Sequence, residues 1–195
     1  TITSRGNTMK KQLSLVLIFV VLFMGFSGCI FKGNENITTP SSGQVAPMEN
    51  VSELVVLKNI PSGYSFIDIM PPSETLNGEF SNVENVVEAA IGSYQANESA
   101  RVQYHVTAVK FSDAVSAESF LTNYKTTFKV LSNNETFQQV EFNGHEATQV
   151  LSYSVDGGKN VPRYKYFWNN ENFVFIIEGN SEDPAVGLDF AKAIG

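Results

Sequence analysis

Apolar and polar residues alternate with a period of two over Arg101–Phe111. Val102, Tyr104, Val106 and Ala108 fall on one side, and Arg101, Gln103, His105 and Thr107 on the other. Successive side chains of a strand point to opposite faces of its sheet, so this pattern predicts a half-buried strand. It recurs in Ala147–Val155 and Arg163–Trp168, and Phe137–Phe142 and Phe173–Glu178 supply two further segments. Between these runs stand Asn143-Gly144, Asp156-Gly157-Gly158 and Asn169-Asn170. Asn-Gly between alternating runs is a strong hairpin signal, and the four segments together predict an antiparallel meander. Upstream, Val86–Tyr94 reads as strand. Tyr64–Met70 alternates weakly and stops at Pro71-Pro72, and the short run Leu54–Leu57 fits strand or helix.

The helical period appears once with full strength, over Asp113–Phe128. Ala117, Phe120, Leu121, Tyr124 and Phe128 recur at helical spacing, and Ser112 or Asp113 stands where a cap is needed. Asp183-Pro184 predicts the start of a last helix, with Asp as cap and Pro in the first turn. Strands, a helix, four strands and a helix make an α+β domain over residues 51–195. It is expected to hold an antiparallel sheet of about six to seven strands with helices packed on it. This element order is similar to that of the extrinsic photosystem protein PsbP and its relatives. The likeness is one of architecture and implies no activity.

The N-terminal region follows another pattern. Lys10 and Lys11 precede Leu13–Phe26, in which only Ser14 and Gly25 are not apolar, and Ser27-Gly28-Cys29 follow. This is the layout of a signal peptide over residues 9–28, with residues 1–8 upstream of it. Phe26-Ser27-Gly28-Cys29 resembles the lipobox of prokaryotic, archaeal or bacterial, lipoprotein precursors, with Phe26 in place of the usual Leu. That resemblance implies that the Cys29 thiol takes a diacylglyceryl group, whose two chains suffice for a stable anchor. The alternative is an uncleaved spanning helix, for which a run of 14 residues is short. Either way the domain is tethered on the extracytoplasmic side of the cell membrane, with Lys10 and Lys11 left inside. Ile30–Asn50 is rich in Gly, Asn, Ser, Thr and Pro and reads as a flexible linker.

Charge sharpens this picture. The chain of 195 residues carries a net charge of −7. Residues 1–28 contain three of the 13 bases and none of the 20 acids, so the remainder carries −10. An acidic body is unsuited to nucleic acid and is repelled by anionic headgroups, so membrane contact is expected through the lipid on Cys29. One cysteine excludes an internal disulfide framework.

Candidate chemistry is sparse. The sequence contains no GxSxG, HExxH, GxGxxG or GxxxxGK[ST] motif. His105 and His145, the latter beside Glu146, are the two imidazoles that a dispersed catalytic or metal site would need; otherwise they are solvated strand residues. No metal and no cofactor is expected. Tyr164, Tyr166 and Trp168 share one side of a strand. Such a row stacks on a sugar or peptide if exposed, or forms the core under the 113–128 helix if not. Sequons at Asn36, Asn50, Asn97 and Asn134 are no more frequent than chance gives. The reading that follows is a lipoprotein module of the cell envelope that binds a small-molecule ligand or a partner protein. Two alternatives stand beside it: an extracytoplasmic hydrolase with dispersed site residues, and an accessory subunit of an envelope complex. The last predicts an exposed apolar patch.

Overall fold

In the computed structural model, residues 50–132 and 135–194 are described. The signal-peptide and lipobox reading, Cys29, the linker before Asn50, and the sequons at Asn36 and Asn134 lie outside the described residues.

Seven antiparallel strands form one sheet: β1 Tyr64–Met70, β2 Val86–Ala96, β3 Ser99–Phe111, β4 Phe137–Phe142, β5 His145–Asp156, β6 Lys159–Asn170 and β7 Phe173–Gly179. Their order is β1-β2-β3-β7-β6-β5-β4. The predicted α+β class, strand number and C-terminal meander are therefore observed. The turns form as their residues dictate. Asn143 and Gly144 both take positive φ, as do Gly157 and Gly158, which is what tight two-residue hairpins need. The junction between the two halves of the sheet is β3 against β7, a pairing distant in sequence.

Among the described residues four helices cover both faces: α1 Val51–Leu54, α2 Pro72–Asn77, α3 Ala114–Thr126 and α4 Pro184–Ile194. The ambiguous Leu54–Leu57 run is the end of α1 and the segment after it. The sequence reading missed α2, which begins directly at the prolines taken as a stop. Asp113 caps α3 by accepting from the Ser116 N–H at 2.8 Å, and Asp183 accepts from the Ala185 N–H at 2.9 Å.

The sheet separates two cores. On one face Tyr94, Tyr104, Val106, Tyr166, Trp168, Phe175 and Ile177 pack with Val51, Val55 and Phe190. Phe190 of α4 is the hub of this side. Its ring stacks on Tyr104 at 4.8 Å and meets Tyr94 and Tyr64 edge-on at 5.1 and 5.2 Å. On the other face Ala89, Val109, Phe111, Val150, Phe167, Val174 and Ile176 pack under Ala117, Phe120, Leu121, Tyr124 and Phe128. The apolar side of α3 is thus the one its spacing predicts. The Tyr164 row is not beneath it, however: those residues face α4, and α3 sits on Phe167.

Close backbone approach fixes how α1 meets the sheet. A Cβ at Gly92 would lie 2.2 Å from the Val55 carbonyl oxygen. The buried Tyr94 hydroxyl donates to that oxygen at 2.6 Å and accepts from the Leu57 N–H at 2.8 Å. Val51, Leu54, Val55 and Leu57 are all buried. The segment Val51–Leu57, where the described domain begins, is therefore part of the core.

Candidate functional site

The α3 side of the sheet carries a polar row across four strands. Ser93 on β2 pairs with His105 on β3, His105 with Glu178 on β7, and Glu178 with Lys165 on β6. All four are partly exposed. The Ser93 Oγ lies 3.2 Å from His105 Nδ1. Lys165 and Glu178 form a direct ion pair, and Lys165 Nζ also donates to the Tyr124 hydroxyl at 3.3 Å. Burial opposes the charge on Lys165, but Tyr124 and Glu178 outweigh it and hold its pKa above the ordinary lysine value. Glu79, just after α2, senses the same row. Desolvation first and Glu178 second raise its pKa, against the pull of Lys165 and His105.

Beyond the reach of Tyr124 the row opens into a groove of about 260 Å³, lined by Gln103, His105, Ser152, Arg163, Glu178 and Asn180 among others. It lies at a step in the sheet. β7 accompanies β6 only as far as Lys165, and β4 accompanies β5 only as far as Val150. Past a backbone bond from the Leu151 N–H to the Thr136 carbonyl, residues 152–156 and 159–163 pair with each other alone among the described residues, so this hairpin projects past its neighbours. Asn180 ties down the opposite wall. Its Oδ1 accepts from the Gln103 N–H at 2.9 Å and its Nδ2 donates to the Arg101 carbonyl at 2.5 Å.

Ser93, His105 and Glu178 occur in the order of a nucleophile, base and orienting carboxylate, but no relay is assembled. No hydrogen bond joins His105 to Glu178, whose carboxylate is engaged by Lys165 on its other side. A relay needs the base held by the third group. His145 is elsewhere, at the start of β5, with its ring 6.2 Å from Phe142 and 6.5 Å from Trp168. Three strand spacings separate β3 from β5, at least about 14 Å, so the two histidines do not meet. Among the described residues no three His, Cys, Asp or Glu side chains are placed to hold a metal ion.

The aromatic row is largely interior. Tyr166 is 1% exposed and Trp168 2%, which corrects the stacking platform: neither ring face is open. Tyr166 Oη donates to the Pro184 carbonyl at 2.7 Å and accepts from Gln149 Nε2 at 2.6 Å, so it ties α4 to the sheet. Burial pushes its pKa up to about 12. Tyr164 is half-buried at the edge of the same core. Beyond it the projecting hairpin exposes Tyr153 and Val155, at 54% and 74%. Sequence reasoning missed Arg163, Lys165 and Glu178 as a group, because their alternation with apolar neighbours reads as an ordinary solvated face.

No family model matches this sequence, and no solved structure matches it. Among curated proteins, the chain is similar to signal peptidase complex subunit 3 of Schizosaccharomyces pombe. The two are 23% identical over 155 residues, which cover 80% of this chain and 83% of that protein. This overturns the reading as a ligand- or protein-binding lipoprotein module of the cell envelope. The similar protein is a subunit of a complex, which agrees with the accessory-subunit alternative instead.

Proposed function

We propose that this protein is an accessory subunit of a membrane-bound protein complex. The observation that carries the reading is the similarity to a signal peptidase complex subunit over most of both chains. Two features of the fold support it. The sheet has filled cores on both faces and an unassembled Ser93, His105 and Glu178 row, which suits a structural partner better than a hydrolase. The projecting hairpin exposes Tyr153 and Val155 next to half-buried Leu151, Pro162 and Tyr164, the kind of apolar surface that a subunit contact covers.

Among the described residues no helix is long and apolar enough to cross a membrane. The attachment is assigned to the N-terminal segment, with the apolar run Leu13–Phe26 and the thiol of Cys29. The domain stands on the side opposite Lys10 and Lys11. Its acidic surface keeps it off anionic headgroups, so it meets the membrane through its anchor and its partners.

The test is purification of the full chain from membranes in mild detergent. The expected result is a complex of fixed stoichiometry that includes the catalytic subunit of a signal peptidase. Recovery of the chain as a lone monomer overturns the reading. Cys29→Ser, carried through the same fractionation, assigns the anchor. Release into the soluble fraction marks an acylated thiol, and full retention marks the apolar run itself.

A further inference from the structure

The groove beside the projecting hairpin contains a cation whose charge is poorly met. The Arg163 side chain is only 16% exposed. Of its five N–H donors, one is used on the neighbouring Pro162 carbonyl at 2.9 Å. Its ion pair with Asp156 is long, 3.5 Å, and that carboxylate is 73% exposed. A largely buried guanidinium ordinarily has close acceptors, because leaving its donors unmet is costly. The nearby Glu178 does not serve it, being committed to Lys165. His105 faces the same space with Nδ1 turned to Ser93, which leaves Nε2 as its second polar atom.

We propose that this groove binds one carboxylate of a polypeptide. The Arg163 fork takes the two oxygens side by side, and His105 Nε2 adds a third contact. Planar bidentate pairing is what a guanidinium does best with a carboxylate. Phosphate fits worse. Glu178 lines the groove and Glu79 interacts with it, so a dianion meets repulsion, with the loosely paired Arg163 cation to offset it. The volume, about 260 Å³, is below that of ordinary small-molecule pockets, so the groove suits a chain end or one acidic side chain. This site stands independently of the subunit reading above.

The experiment is calorimetric titration of the detergent-solubilised full chain with four probes: acetyl-Ala-Ala, its C-terminal amide, acetyl-Ala-Glu-Ala-amide and inorganic phosphate, with acetate as reference. A carboxylate peptide is expected to bind about tenfold or more tighter than the uncharged amide. Preference for the first peptide identifies a chain end, and preference for the third an acidic side chain. Arg163→Gln should weaken binding by about tenfold or more, and Arg163→Lys should restore part of it. His105→Gln provides a second variant should Arg163→Gln fail to fold. Binding of the uncharged amide as tight as that of both carboxylate peptides overturns the proposal. So does phosphate binding tighter than the peptides, or unchanged affinity in both Arg163→Gln and His105→Gln. Acetate binding as tightly as the peptides overturns the assignment to a polypeptide.

Discussion

Replacing Tyr94 by Phe removes one oxygen from the place where the N-terminal segment joins the sheet. That oxygen serves both Val55, as donor at 2.6 Å, and Leu57, as acceptor at 2.8 Å. Val55 is fully buried and Leu57 6% exposed, so neither backbone group gains water in exchange. One lost bond is worth about 1 kcal/mol net, but each buried group left unmet costs about 1–3 kcal/mol, so Tyr94→Phe should cost about 2–4 kcal/mol. For a domain of this size that is a fall in Tm of about 5–15 °C. The assay is thermal and urea unfolding of the full chain in detergent, with hydrogen exchange followed over residues 51–57. Protection of the Leu57 amide should fall first. Tyr153→Phe is the control: its side chain is 54% exposed, and the change should stay within about 0.5 kcal/mol. Gly92→Ala attacks the same junction sterically, since its Cβ would stand 2.2 Å from the Val55 oxygen. Both changes act on one contact, so the double variant should lose less than the two singles added. A loss below about 0.5 kcal/mol in Tyr94→Phe, with Leu57 exchange unaltered, would refute the reasoning.

Lys165→Met should destabilise the domain in a pH-dependent way. The folded pKa of Lys165 lies above its usual 10.5, so the wild-type advantage is complete below that value and fades as pH climbs through the folded pKa. Urea unfolding at stepped pH measures it, and a gap that does not shrink as pH rises above 10.5 contradicts the sign. Gly179→Ala should cost about 1–3 kcal/mol by overpacking, because its Cβ would meet the Tyr104 ring at 2.5 Å, and that ring is fully buried against Phe190. A near-UV circular dichroism spectrum and Tm unchanged from wild type would show that the ring yields freely.

The sequence by itself determined the local elements, because their causes are local. Alternation set strands β3, β5 and β6, and short segments bounded by turn residues marked β4 and β7. Asn143-Gly144 and Gly157-Gly158 supplied the positive φ that tight hairpins require, and Asp113 and Asp183 supplied helix caps. Spacing also named the buried side of α3. It did not fix which face of the sheet that side would meet, and the expectation that an interior Tyr164 row lies under α3 is not met. The middle of β6 is buried on both faces, with Tyr166 and Trp168 on one and Phe167 on the other, and a period of two assigns residues to faces without saying which helix covers each. Tertiary structure decided that α4 covers the first and α3 the second. The pairing of β3 with β7 also decided the candidate site, bringing His105 beside Glu178 and Lys165 while three strand spacings kept His145 away. Strand order depends on long-range burial and hydrogen bonding across the whole sheet, so no short window of sequence contains it.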